Sequence, residues 1–216
     1  MIDLHTHTLL SDGVLVPSEL VRRAQVVGYE AIALTDHVDA SNLKYVVSNL
    51  VNAASALNDS ASIRVIPGVE ITYVPPPQIG AMIGEARRLG AMLVLVHGET
   101  IVEPVAEGTN RAAIKGGADI LAHPGLITQQ DTKLAADRGV VLELTSRRGH
   151  SITNGHVAQM AKKHTARMVL NTDSHAPSDL INDAMARRIV LGAGLSGNEY
   201  NKLKKCSEGL VRDAFI

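Results

Sequence analysis

The sequence has no tryptophan, one phenylalanine and four tyrosines among 216 residues. Stacking platforms for unpaired bases are therefore scarce, which disfavours single-stranded nucleic acid as the main partner without excluding it. There is one cysteine, Cys206, so no intramolecular disulfide can form and a reducing compartment is expected. An excess of either charge is also missing. The 21 basic and 22 acidic residues leave a net charge of −1, without the field that draws a polyanion to a surface. No apolar run approaches the ~18 residues of a membrane span, and no basic stretch followed by an apolar core opens the chain. The expectation is a cytoplasmic protein with no membrane contact.

What is present is ordinary for a globular chain: 45% apolar and 20% charged residues, with a core drawn from Val, Ile, Leu, Ala and Met. Short apolar runs predict strands at Ile2–His5, Ala31–Thr35, Arg64–Val69, Met92–His97, Asp119–His123, Val140–Leu144 and Met168–Thr172. Between them, apolar spacing predicts helices that include Pro17–Val27, Ile79–Leu89, Ala158–His164, Ser178–Leu191 and Ser196–Arg212. In the first, Pro17 suits an opening turn, Leu20, Val21, Ala24 and Val27 share a face, and Gly28 marks the stop.

Seven strand–helix units in 216 residues leave about 30 residues each, the size of a compact βα repeat. Strands alternating with helices imply a parallel sheet. Eight units typically take about 250 residues, so the expected fold is a seven-stranded (β/α)7 TIM-like barrel. No linker divides the chain, and residues 1–216 are read as one domain. Pro75-Pro76-Pro77 is read as a stiff loop after the third strand.

Six of the nine histidines stand at or just beyond these strand ends: His5, His7, His37, His97, His123 and His175. Three carboxylates accompany them, Asp12, Glu70 and Asp173. Barrel enzymes build their sites at the carboxyl ends of the strands, so these segments are expected to converge. His5 and His7, two residues apart on an extended segment, point to the same side. Imidazole with carboxylate suits zinc, iron or manganese, whereas magnesium and calcium sites are dominated by oxygen. One such ion takes about four ligands, so these candidates suit two or three divalent ions with a bridging carboxylate. Singly, each has a plainer explanation: Asp12 before Gly13 as a turn, Glu70 as a salt-bridge partner, a histidine beside Gly or Pro as a loop residue. Turn chemistry gives no reason for histidines at five of seven strand ends.

The ordered set Asp3-Leu4-His5-Thr6-His7, Leu34-Thr35-Asp36-His37, Gly68-Val69-Glu70-Ile71, Val96-His97-Gly98, Ala122-His123-Pro124-Gly125 and Asp173-Ser174-His175 resembles the PHP (polymerase and histidinol phosphatase) superfamily. The resemblance covers nearly the whole chain. It implies a distorted seven-stranded β/α barrel and metal-dependent hydrolysis of a phosphoester by a hydroxide held between two ions. It also implies three ions. His5, His7, Glu70 and Asp173 would hold the first and carry the reaction. Glu70 would bridge to a second, held also by His97 and His123. Asp12, His37 and His175 would hold the third. A small phosphorylated substrate is the leading expectation, histidinol phosphate being the family's namesake.

Other residues invite weighing. Arg147 and Arg148 follow the sixth strand, where a guanidinium suits a phosphate, or both are a solvated pair. Glu143 within that strand could orient a ligand histidine. Glu99 and Glu103 lie near His97 and could belong to substrate-binding loops, but helix capping or solvent exposure is the leading expectation. His150 could border the pocket, His156 matches no pattern, and His164 is expected at the surface. Asp36 is as suited to setting a strand end as to touching metal. Lys202, Lys204 and Lys205 form a solvated helical face.

Three other functions share parts of this pattern. A nuclease or phosphodiesterase acting on RNA or DNA ends keeps the same metal chemistry. An amidohydrolase shares the early His-x-His but usually bridges its metals with a modified lysine after strand four, where His97 stands here. A non-catalytic subunit of the ribonuclease P type would be marked by lost ligands, and none is lost.

Overall fold

A computed structural model describes residues 1–60 and 62–215. Its strands are β1 (Ile2–Asp3), β2 (Ala31–Leu34), β3 (His37–Val38), β4 (Arg64–Ile71), β5 (Leu93–His97), β6 (Ile120–Ala122), β7 (Val141–Thr145) and β8 (Met168–Asn171). All pairings are parallel, in the order β1-β2-β4-β5-β6-β7-β8, with β3 also on β4. Leu34 faces Pro67 and His37 faces Glu70, so β2 and β3 keep one register. They are a single strand interrupted at Thr35-Asp36. The sheet therefore has the seven strand positions that the apolar runs predict.

The ring is nearly closed, and the join between β1 and β8 lies at their carboxyl ends. Thr6 bridges Ser174, the Asp173 N–H donates to the His5 carbonyl at 3.0 Å, and the His7 N–H donates to the Ser174 carbonyl at 2.8 Å. Below that, side chains replace the backbone ladder. The Leu4 N–H donates to Asn171 Oδ1 at 2.9 Å, and the Thr172 N–H to Asp3 Oδ1 at 3.1 Å. β1 itself comprises only Ile2–Asp3, paired with Ala31 and Ile32 of β2, short of the predicted His5.

Among the described residues eight helices surround the sheet: α1 (Pro17–Val27), α2 (Leu43–Asn58), α3 (Pro76–Arg88), α4 (Thr109–Gly116), α5 (Gln129–Arg138), α6 (Asn154–His164), α7 (Asp183–Gly192) and α8 (Gly197–Ala214). The expected stiff loop at Pro75-Pro76-Pro77 is instead the start of α3, with Pro75 at its cap. First-turn N–H groups have no intrahelical acceptor, so proline there removes nothing the helix needs. The predicted helix Ser178–Leu191 is split. A 3₁₀ turn at Pro177–Asp179 precedes α7, which Asn182 caps by accepting the Met185 N–H at 2.9 Å. No helix among the described residues is long and apolar enough to cross a membrane.

Alternation along the strands divides the core into two apolar layers. Ile32, Leu34, Val65, Val94, Val96, Leu121, Leu142 and Leu144 face the helices. Ala31, Ala33, Ile66, Leu93, Leu95, Ile120, Val141 and Val169 fill the barrel interior, where Val211 of α8 joins them. The barrel is thus a packed core at one end. Its other end is polar.

Candidate metal centre

The inward face of most strands changes from apolar to polar as it rises. Ala31 and Ala33 lead to His37, Ile66 to Glu70, Leu93 and Leu95 to His97, Val141 to Glu143, and Val169 to Asn171 and Asp173. Each pair is separated by an even number of residues, which keeps both side chains on one face of the strand. Glu70 and His37 therefore lie within strands rather than beyond them. His123 directly follows the inward Ala122, and a φ of 26° turns it into the site; Asp173 has a φ of 53°. Positive φ in a non-glycine residue costs about 1–3 kcal/mol and concentrates at functional sites. Glycine is required beside two of the histidines. A Cβ at Gly98 would strike the Ala122 carbonyl, and one at Gly125 the Glu99 carbonyl.

The nine side chains meet over a short span. His5 Nε2 lies 3.2 Å from Glu70 Oε2 and 3.6 Å from Asp173 Oδ1, and His7 Nε2 lies 3.6 and 3.1 Å from the same atoms. His123 Nε2 is 3.4 Å from Glu70 Oε1 and 3.8 Å from Asp173 Oδ2, while His37 Nδ1 reaches Glu70 Oε2 at 2.9 Å. Asp12 Oδ1 gathers His175, His37 and His7 at 3.2, 3.6 and 4.0 Å. Ligand atoms close enough to share an ion occur in four sets: His7, Asp12, His37 and His175; His5, His7 and Glu70; His5, His123 and Asp173; and His97, His123 and His150. No contact joins His97 to Glu70 within ion-pair distance among the described residues. His97 Nε2 instead meets Glu103 Oε2 at 3.1 Å.

Burial shapes the electrostatics. It disfavours charge on His5, but Glu143, Glu70 and Asp173 outweigh it and raise the pKa well above the ordinary value. Burial, with the His37 charge adding to it, pushes His7 down to about 3. Burial also works against ionised Glu70 and Asp173, yet the surrounding histidines hold both carboxyls far below their usual range.

Several buried polar atoms at this centre make no well-formed hydrogen bond, although several lie close to other side chains of the cluster: His5 Nε2, His7 Nδ1 and Nε2, both oxygens of Glu70, His123 Nδ1 and Asp173 Oδ1. Each such atom costs about 1–3 kcal/mol when left unmet, and native interiors rarely tolerate several together. Imidazole nitrogens and carboxylate oxygens converging in this way fit divalent transition metals. The donors are also oriented from outside. Glu143 accepts from His5 Nδ1 at 2.9 Å, from Asn171 Nδ2 at 2.7 Å and from the His123 N–H at 3.0 Å. Glu143 is thus inward and bonded to His5, the geometry that its place inside the sixth predicted strand suggested.

Asp36 faces away from the cluster and organises the loop that carries His7 and Asp12. Its carboxylate accepts from the Thr8 N–H and from Ser11 Oγ, each at 2.8 Å. The two arginines part company. Arg147 lines the cavity beside the cluster, about 480 Å³ in volume, with its Nε 4.0 Å from Asp173 Oδ2 and its Nη1 3.2 Å from Asp179 Oδ2. Arg148 is exposed and lines a neighbouring cavity instead.

Of the readings open to it, Glu103 takes a place in a loop at the site, rather than helix capping or full solvent exposure. It reaches into the site between His97 and His150 and accepts from Tyr73 Oη at 2.8 Å, which together hold its pKa down to about 2. Glu99 does bond to the first turn of α4, accepting the Asn110 N–H at 2.8 Å. His156 pairs with the Ile127 carbonyl, His164 is half-buried, and Lys204 pairs with Asp183, all outside the cluster.

Comparison with known proteins accords with this architecture. The PHP domain family model matches residues 3–165. An uncharacterised protein of Methanocaldococcus jannaschii is 49% identical over 199 residues, covering 91% of each chain. A chain in the structure of an archaeal ribonuclease P with mature tRNA superposes with a TM-score of 0.76 at 18% identity, covering 99% of this chain and 91% of that one. The histidinol phosphate phosphatase of Lactococcus lactis, solved with zinc, L-histidinol and phosphate, gives a TM-score of 0.60 at 16% identity, covering 90% and 94%. At these identities the two structures share the fold with this chain.

Proposed function

The chain belongs to the PHP domain family, and from that premise we propose that it is a metal-dependent phosphoesterase acting on a small phosphomonoester. One observation carries the reading: the buried nitrogens and oxygens of His5, His7, Glu70, His123 and Asp173 that make no well-formed hydrogen bond lie beside a cavity that Arg147 also lines. In this reading His5, His7, Glu70 and Asp173 would hold a first ion, His97 and His123 with Glu70 a second, and Asp12, His37 and His175 a third. The ions are zinc, manganese or iron, by the softness of the donors. Bound there, they supply Lewis acidity toward a phosphoryl oxygen and make water a stronger acid.

The protein's own residues supply the rest. Glu143 fixes the ring of His5 so that Nε2 faces the centre, because Nδ1 is committed to the carboxylate. Arg147, braced by Asp179, presents a guanidinium to a phosphoryl oxygen at the cavity wall. The barrel below is filled by Leu4, Ile66, Leu95 and Ile120, which closes the site to water from that side.

A second reading, action on RNA, is favoured by the likeness to a chain of archaeal ribonuclease P, whose structure contains tRNA. The near-neutral charge and scarce aromatic residues favour the small ester. The two readings separate in one experiment. Protein reloaded with manganese, zinc or iron is offered p-nitrophenyl phosphate, its bis-ester, histidinol phosphate and a short 5′-labelled RNA. Phosphate release from monoesters alone is expected, and His5→Ala should abolish it. Stepwise shortening of the RNA, or wild-type kcat in His5→Ala with its metal content unchanged, overturns the reading.

A further inference from the structure

Five histidines at this centre have Nδ1 tied to a neighbour, which leaves Nε2 to face inward; His37 differs in that its Nδ1 also reaches Glu70 Oε2 at 2.9 Å. The ties are His5 to Glu143 Oε1 at 2.9 Å, His37 to Thr72 Oγ1 at 2.7 Å, His97 to the Gly98 carbonyl at 3.1 Å, and His175 to the Asp173 carbonyl at 2.9 Å. The fifth is His150, paired with Thr100 Oγ1 at 2.7 Å. Holding one ring nitrogen to fix the aim of the other is the usual support of a metal-binding histidine. His150 is buried, stacks on the His123 ring at 4.2 Å between centroids, and offers a nitrogen close enough to share an ion with His97 and His123.

The loop between β5 and α4 supplies the other half. It contributes Thr100 behind the His150 ring and Glu103 in front of it. Glu103 Oε2 lies 3.1 Å from His97 Nε2, and Oε1 lies 3.3 Å from His150 Nε2. Two donors on one tetrahedral zinc, each about 2.0–2.1 Å from it, stand roughly 3.3 Å apart. Tyr73 Oη donates to Oε2 at 2.8 Å and fixes the carboxylate in that place. The loop is itself tethered, since the Glu99 N–H donates to Asn110 Oδ1 at 2.9 Å and Asn110 Nδ2 to the Pro124 carbonyl at 3.0 Å.

We propose that His150 and Glu103 are further protein ligands of the second ion, beside His97 and His123. The proposal rests on the metal-centre reading above and adds two donors from loops after β7 and β5. Because Glu103 comes from the solvent side, it is the ligand a substrate phosphate would meet first.

The test is cobalt titration of chelator-treated full-length protein, following the visible d–d absorbance, with bound ions counted by elemental analysis. Glu103→Gln and His150→Gln are compared with wild type, with His164→Gln as a reference outside the site. In each of the two site variants one binding step should weaken roughly tenfold or more, with an altered visible spectrum, while the remaining steps stay near wild type. Unchanged steps and spectrum in both variants overturn the proposal, and an effect in only one removes the other residue from it. Wild-type protein that binds no cobalt, zinc or manganese overturns the metal-centre reading itself.

Discussion

Glu143 accepts a hydrogen bond from His5 Nδ1 at 2.9 Å, and both side chains are fully buried. The same carboxylate accepts from Asn171 Nδ2 and from the His123 N–H, so every neighbour it touches here is a donor. An amide at this position would turn an N–H₂ group against one of them. Glu143→Gln should therefore lower metal affinity roughly 10–100-fold. It should also cost about 1–3 kcal/mol of stability, the expense of a mismatched buried donor. Calorimetric metal titration and urea unfolding measure the two effects, and wild-type affinity in the variant would refute the orienting role.

Arg147 and Arg148 should behave differently although they are neighbours in sequence. Arg147 lines the cavity beside the cluster and is braced by Asp179, whereas Arg148 is exposed. A charge-assisted hydrogen bond to phosphate is worth about 1.5–3 kcal/mol, which converts to roughly 10–100-fold in kcat/KM. Arg147→Ala should show that loss on p-nitrophenyl phosphate, and Arg148→Ala should stay near wild type. Equal losses in both would place the phosphate elsewhere.

The contrast between these arginines marks where sequence reasoning stops. Period-two alternation reveals strands and which residues share a face, so the barrel and the strand ends carrying His37, Glu70 and His97 are legible in advance. Glu143 is legible for the same reason, as an inward carboxylate among apolar residues. Residues delivered by loops follow no period. Glu103 and His150 lie 47 positions apart in sequence and meet only because two loops fold over the same rim, pinned by Asn110 and Thr100. Proximity of that kind leaves no local trace, and adjacency in sequence could not tell Arg147 from Arg148. Nor could proline content alone place Pro76 and Pro77 in a first helical turn rather than a loop.

Stability at the far side of the barrel should depend on pH through Asp183. Its carboxylate accepts from Tyr200 Oη at 2.7 Å and from Lys204 Nζ at 3.0 Å, tying α7 to α8. The Tyr200 hydroxyl first, and Lys204 after it, hold the carboxyl below its ordinary value. A depressed pKa adds stability above the unfolded-state value, and that stability is lost as pH falls through the folded-state value. Asp183→Asn should thus be less stable than wild type at pH 7, by under about 1 kcal/mol because the pair is half exposed. The difference should be smaller at pH 3, below the ordinary carboxyl value, than at pH 7. Urea midpoints at the two pH values test the sign, and a difference that grows on acidification would contradict it.

Removing metal should separate the buried centre from its exposed edge. Glu70 and Asp173 are held ionised in the interior, whereas the Asp12 side chain is 57% exposed. Chelation of wild-type protein should lower its melting temperature and abolish turnover. An ion present at about 100 times its Kd contributes about 2.7 kcal/mol. Manganese, zinc or iron should restore both properties. Asp12→Asn acts only at the edge, where Asp12 Oδ1 contacts His175, His37 and His7. It should shed one ion per chain and leave the others in place. The chelated variant should unfold within about 0.5 kcal/mol of chelated wild type, as an exposed substitution away from packing contacts does. Elemental analysis beside thermal melts distinguishes these outcomes. A variant that loses every ion at once would mean that the three groups of donors bind as a single cooperative unit rather than as separable sites.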